Sequence, residues 1–428
     1  MSLAVAYSSA PQRRAVNVLI VSHFDSHGVS FAAARARVLR QRGEEVEIIS
    51  KFPETGPQGL SSGQLKQLID ATNVTANRIE IIDIPIDVRN PDASVKTLGD
   101  LAMIAPVHYY DHHETDSPFV PRLLQAGITP MVFGDNIAMA TALEIMNDNT
   151  ARELAIIGMV ADRDANVLKL VPRDEIECCY LPMANRLDMV VRNPRLIGGQ
   201  TAGDVARQLA ERGASAIPVN VEYPPLRLAD VVASKIEEEG SIALLIDWSD
   251  QWPDDSQWTP KTLEIVLMRR RRVIAVAVTP GFSPRTRQIE GYDVRILRYW
   301  LAPADTPVPE EVAKEFIQRH APQGRVVGHA DYVSIRFANA EEALSAARRI
   351  FAMIEGSEPS AAHLVSDRFV AQAIRRDYSN LNERLTAIME NLQKLLEMQT
   401  QMYREYLELK RRQVELLEQL RRRDTAAD

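Results

Sequence analysis

The chain has 428 residues, 46% of them apolar and 25% charged, a balance found in ordinary globular proteins. Its formal net charge of −8 speaks against a broad basic nucleic-acid surface but leaves room for a local basic groove. No apolar run approaches the roughly 20 residues that span a bilayer, and the adjacent Cys178 and Cys179, its only two cysteines, form no disulfide framework and suit a reducing compartment.

Residues 1–14 carry a basic pair after their apolar residues, the reverse of a secretory signal. They read as a disordered lead into a cytoplasmic protein. From there short apolar runs alternate with helical patterns. Strands are expected at 18–21, 45–49, 78–82, 105–110, 131–133 and 154–160. Helices are expected at 30–41, ended by Gly43, and at 136–146, capped by Asp135 or Asn136. The alternation predicts an α/β domain over 15–195, a mostly parallel doubly wound sheet with helices on both faces.

A helical connector is expected over 196–239. A second, smaller α/β domain follows over 240–358, with strands at 242–246, 273–278, 294–297 and 333–337 and a helix at 341–354. Within 365–423 the pattern changes again. Leu381, Ile388, Leu395, Met402, Leu409 and Leu416 recur every seven residues, and Leu385, Leu392, Tyr406 and Leu420 add a second seam that Gln399 and Gln413 interrupt. This is a coiled-coil heptad, and a helix with so little apolar partner surface in its own domain is expected to pair between chains as a homo-oligomer.

In an open parallel sheet, ligands bind beyond the carboxyl ends of the strands. On this reading His23 and Asp25 follow the first strand, Asp83 the third, Asp111 the fourth and Asp162 the last. The densest patch is Asp111-His112-His113, followed by Glu114 and Asp116; two adjacent imidazoles beside an acid have no common structural role. His23, Asp25 and His27 stand at alternate positions and share a face if the strand runs on. Gly28 then permits a close turn into a helix whose amides favour an anion. Asp83 has Asp87 as a nearby competitor, and Asp162 has Asp164. Imidazole and carboxylate together suit divalent manganese, iron or zinc, and there are ligands enough for two ions with Asp83 as a bridge. The second histidine of the pair would contact phosphate or protonate a leaving group.

These four clusters, in this order, resemble the motifs of the DHH phosphoesterase superfamily, which includes RecJ single-strand nucleases, nanoRNases, cyclic-dinucleotide phosphodiesterases and manganese pyrophosphatases. The resemblance covers roughly residues 15–190. It implies that His23, Asp25, Asp83 and Asp162 hold one Mn2+ and that His27, Asp83 and His112 hold another, Mg2+ or another divalent ion being the alternative. It implies that Asp111 orients the site and His113 contacts substrate phosphate. The chain departs from the pattern at His27, a position usually acidic; the imidazole removes one negative charge from the second metal site.

The 240–358 region resembles the family's associated substrate-binding domain less closely. Arg298 and the pair Gly328-His329 stand where that domain has an arginine and a glycine-rich segment, so a phosphate or a 3′-end would be held there. A structural turn is the other reading of Gly328-His329. The run Arg269–Arg272 suits either a phosphate groove or a solvated helix end. The function implied is hydrolysis of phosphodiesters in single-stranded nucleic-acid ends or short oligonucleotides. The alternatives are cyclic-dinucleotide hydrolysis, or a degenerate binding module that recruits a partner protein through its coiled coil. No membrane role is implied.

Overall fold

A computed structural model describes residues 13–283, 286–320 and 326–356, apart from the side chain of His329. Strands β1 (Arg14–Ser22), β2 (Val46–Ile49), β3 (Val74–Ile82), β4 (Val107–Asp111) and β5 (Ile128–Val132) form a wholly parallel sheet in the order β2-β1-β3-β4-β5. Both faces are covered. Val18 and Ile20 of β1 enter one core, while Leu19 and Val21 enter another with Leu60, Leu65 and Leu98. Successive side chains of a strand point to opposite faces, so two-sided burial demands an unbroken apolar run.

Helix α1 (Ser26–Gln41) starts earlier than the expected 30–41. Asp25 is its N-cap, accepting a hydrogen bond from the Gly28 amide at 2.9 Å. The extended backbone expected to continue through His27 therefore ends before it, and His27 lies in the first helical turn. The short side chains of Ala32, Ala33, Ala34 and Ala36 let α1 lie close against its neighbours. Arg35 is buried among them, and its guanidinium forks onto both carboxylate oxygens of Glu80 on β3, each at 2.9 Å.

Residues 154–160 are not a strand. They belong to the helix Asn149–Ala161, capped by Asp148, whose side chain accepts from the Ala151 amide at 2.7 Å. A short apolar run of this kind fits a buried strand or a buried helix equally, and periodicity cannot separate them. Contact with α1 settles the matter: Leu154, Ala155, Ile157 and Val160 are buried there, and a Cβ on Gly158 would meet the Ser30 Cβ at 3.0 Å. Asp162 consequently ends a helix rather than a strand.

The second sheet holds β6 (Ile236–Glu239), β7 (Ala243–Asp247), β8 (Ile274–Phe282), β9 (Ile289–Arg298), β10 (Val326–His329) and β11 (Tyr332–Phe337), in the order β10-β11-β9-β8-β7-β6. Only β7 and β8 pair in parallel. The expected strands correspond to β7, β8, β9 and β11; β6 closes the segment 196–239 expected as a helical connector, and β10 ends on the Gly328-His329 pair. One face packs beneath the helices Pro309–His320 and Ala340–Ile354. The other, through Leu244, Ile246, Ala275 and Leu297, joins the core of the first sheet's helices, and the chain through Glu355 forms one compact unit. In the 196–239 segment, the helix Ala202–Arg212 is tied to the end of β2, where the Gly203 amide donates to the Ser50 carbonyl at 2.8 Å. The lead 1–12 and the coiled-coil segment 365–423 lie outside the described residues. Among those residues, no helix is long and apolar enough to cross a membrane.

Candidate metal centre

The strand order reverses between β1 and β3, which is where such sheets leave a crevice at their carboxyl ends. Register brings the ends level. Ser22 lies opposite Ile82, and Ile82 opposite Tyr110. The residues that follow, His23, Asp83 and Asp111, emerge side by side. The His23 amide donates to the Ile82 carbonyl at 3.3 Å and the Asp83 amide to the Tyr110 carbonyl at 2.9 Å. Asp83 adopts a left-handed conformation at φ 60°. That costs a non-glycine residue about 1–2 kcal/mol, and such strain persists only where the surroundings impose it.

Asp83 is the hub. Its Oδ2 lies 2.9 Å from His27 Nδ1 and its Oδ1 lies 3.1 Å from His112 Nε2. His112 Nε2 is also 3.8 Å from Asp162 Oδ2. Asp25 Oδ2 lies 2.6 Å from His23 Nδ1 while its other oxygen caps α1. Among the described residues, three sets of ligand atoms each converge within 4.8 Å: His23, Asp25 and Asp83; His27, His112 and Asp162; and Asp83, His112 and His113. Asp162 thus converges with His27 and His112, whereas the family resemblance groups it with His23 and Asp25.

The electrostatics follow from burying opposite charges together. Burial alone would raise Asp83, but the charge of His27 and hydrogen bonds from His112 and His27 hold it well below the carboxylate range. Burial opposes protonation of His27, yet Asp83 and Asp162 push it up to about 10. Asp162 is raised, chiefly by burial, and accepts from Asn136 Nδ2 at 3.1 Å. Asp111 is fully buried and takes both the His113 amide, at 2.6 Å, and His113 Nδ1, at 2.7 Å, on one oxygen. This pairing outweighs burial and pushes His113 up to about 9.

The donor set fits a divalent cation. His27 Nε2 and Asp111 Oδ2 are buried without a hydrogen-bond partner, an expensive state for polar atoms unless something else meets them. Imidazoles and carboxylates converging from one sheet edge are the ligands that manganese, iron and zinc prefer.

The competing aspartates serve locally. Asp87 accepts from Ser61 Oγ at 2.6 Å and from the Arg89 amide at 3.0 Å, and Asp164 accepts from the Asn166 amide at 2.9 Å. Arg298 ends β9, where its guanidinium donates to the Pro303 carbonyl at 2.8 Å and lies 3.4 Å from Asp331. Gly328 sits within β10 opposite Val333, and His329 pairs through its backbone with Tyr332 while its side chain lies outside the described residues. Neither Arg298 nor Gly328 belongs to the converging sets. The arginine run closes the helix Thr259–Arg270, with Arg269, Arg270 and Arg272 paired to Asp230 and Glu239.

Two contributors escape sequence reasoning. Asp116 is fully buried; its Oδ2 accepts from the Ile86 amide at 2.9 Å and lies 2.5 Å from the Tyr109 hydroxyl, bracing the segment after Asp83. In the sequence it is one more acid in the tail of the Asp111 patch. Asn136 reads as a possible cap, but Asp135 takes that role, accepting from the Ala138 amide at 2.7 Å, and leaves the Asn136 amide for Asp162.

No protein-family model and no curated protein matches the chain. Solved structures do. A DHH domain described as a member of the s1p family of ribosomal proteins matches with 13% identity and a TM-score of 0.42, covering 78% of this chain and 86% of that one. RecJ from Thermus thermophilus, solved with Mn2+, matches with 15% identity and a TM-score of 0.37; the match covers 81% of this chain and 53% of RecJ, about half its length. CDC45 from Entamoeba histolytica matches with 10% identity and a TM-score of 0.32, over 78% of this chain and 95% of that one.

Proposed function

We propose that the chain is a DHH-type phosphoesterase, a hydrolase that cleaves phosphodiester bonds in single-stranded nucleic-acid ends or short oligonucleotides with two divalent cations, Mn2+ in the first instance and Mg2+ as the alternative. The observation that carries this reading is the convergence of His23, Asp25, His27, His112 and Asp162 on or beside Asp83 at the strand-order switch. His23, Asp25 and Asp83 would hold one ion; His27, His112, Asp83 and Asp162 would hold the other. Bound cations of this kind supply an activated water and offset the charge that builds on the phosphoryl oxygens.

The protein's own groups do the rest. Asp83, strained and buried, stands between both ligand sets and keeps them at fixed separation. Asp111 fixes the His113 ring through Nδ1, so that Nε2 is the nitrogen left to meet a substrate phosphate or to pass a proton to the leaving oxygen. Residues 15–195 would form the catalytic domain and 240–358 the substrate-binding domain, with Arg298, Gly328 and His329 holding phosphate or a strand end. Residues 365–423 would join chains into a homo-oligomer.

The test is hydrolysis of short oligonucleotides by purified protein with Mn2+. Asp111→Ala with His112→Ala removes a proposed metal ligand and the acid that holds the His113 ring, and should lower turnover by about 100-fold or more; undiminished activity in that double variant refutes the assignment. A panel including cyclic dinucleotides separates the two enzymatic readings.

One observation favours a binding module instead. His27 and Asp83 satisfy each other as an internal ion pair, which a site stripped of its metals would use to stay folded. Metal content decides: less than one equivalent of transition metal per chain after Mn2+ loading favours the module.

A further inference from the structure

A cavity of about 470 Å³ opens directly beside the metal cluster, and Asp25 belongs to both. Three rings step outward from the cluster towards it. The His23 and Phe24 centroids are 4.6 Å apart, and those of Phe24 and Phe52 are 4.7 Å apart. Phe24 and Phe52 line the cavity, and Phe52 is 68% exposed. Two cations line the same space. Lys51 has Glu54 at 3.7 Å, and Arg192 is held by Asp188 at 3.1 Å; both are half-exposed or more.

We infer that this cavity is a nucleoside subsite: it takes the terminal base and sugar of a nucleotide whose phosphate lies at the Asp83 cluster. The inference rests on the phosphodiesterase reading for the position of that phosphate. Its volume lies within the roughly 300–1,000 Å³ range of sites that enclose a small ligand. Aromatic faces and cations together match a planar base joined to an anionic backbone. A bare phosphate would leave the aromatic wall unused, and an apolar ligand would leave Lys51, whose Glu54 partner is 3.7 Å away, without a counter-charge at the cavity. Stacking accepts any base, because every base has a π-face, so the subsite confers little base preference.

The experiment compares AMP with ribose 5-phosphate, which lacks the base, by titration calorimetry on the full-length protein with Mn2+. The parent should bind AMP at least about 5-fold more tightly, the low end of what one stacked base contributes. Phe52→Ala should weaken AMP by roughly 5- to 100-fold, the span expected for loss of one stacked ring, and leave ribose 5-phosphate unchanged. Phe52→Leu, which keeps apolar bulk without the π-face, should fall between. Trp252→Ala removes another exposed aromatic, 74% exposed and outside the cavity lining, and should change neither ligand. Equal binding of AMP and ribose 5-phosphate by the parent, or an equal loss of both in Phe52→Ala, overturns the subsite. Base-dependent binding with no hydrolysis of any phosphodiester would keep the subsite and refute the enzymatic reading. Hydrolysis of a dinucleotide with an unchanged KM in Phe52→Ala would do the reverse.

Discussion

His27 Nδ1 lies 2.9 Å from Asp83 Oδ2, with both side chains almost wholly excluded from solvent. An imidazolium here is the counter-ion that lets Asp83 stay ionised in a buried, strained position. The same ring presents its other nitrogen, buried and unpartnered. His27 therefore stabilises the metal-free fold and belongs to a ligand set.

Replacing His27 by aspartate exchanges attraction for repulsion. Without metal, His27→Asp should lose about 3–5 kcal/mol, the usual effect of breaking a buried ion pair. Added Mn2+ should restore much of this, because a carboxylate contributes charge that the imidazole lacks. Thermal melts in EDTA and in Mn2+ check it. A variant as stable as the parent in EDTA would show that the His27–Asp83 pair contributes nothing to the fold.

Asp116 supplies a pH signature. Burial, then the charge of Asp111, pushes its carboxyl up to about 6 from an ordinary 3.8. A carboxyl raised on folding favours the fold while protonated. Its penalty is absent below about 3.8, grows as pH rises through about 6 and is complete above that. Asparagine cannot ionise and keeps an oxygen for Ile86 and Tyr109. Asp116→Asn should therefore gain on the parent by roughly 2 kcal/mol between about pH 4 and about pH 7, at ~1.4 kcal/mol per pKa unit and with part of the penalty already present at pH 4. Urea midpoints at the two pH values measure it, and an identical difference at both would show that Asp116 titrates normally.

The Arg35–Glu80 fork ties α1 to the middle of the sheet. Arg35→Met strands a fully buried carboxylate that, among the described residues, keeps Arg78 as its cationic partner, at 3.0 Å. The loss should be about 3 kcal/mol, towards the low end for a broken buried pair because that second partner remains. Adding Glu80→Leu should recover most of it. Denaturant titration of the single and double variants gives the answer, and a double variant no better than the single would show that the charge was not the cause.

If the heptads join chains as proposed, full-length protein should be an oligomer by light scattering, and deletion of residues 357–428 should yield a monomer whose unit through Glu355 stays folded. A full-length monomer would end the pairing role assigned to the heptads.

By itself the sequence determined that strands burying both faces lie at 18–21, 78–82 and 105–110, that helices lie near 30–41 and 136–146, and that acid and histidine motifs follow the strands. Local pattern carries that information because it arises from side-chain alternation and from hydrogen bonds within a few residues. It could not distinguish strand from helix at 154–160, where an all-apolar run suits either and only the approach of Gly158 to Ser30 decides. Nor could it show that Asp25 starts a helix and so turns His27 inward onto Asp83, that Asp162 meets His112 from a helix end, or that Asp116 and Asn136 hold the site in place. Those are contacts between segments far apart in the chain, made by sheet register and helix packing, and a buried acid looks the same in sequence as a solvated one until its partner arrives.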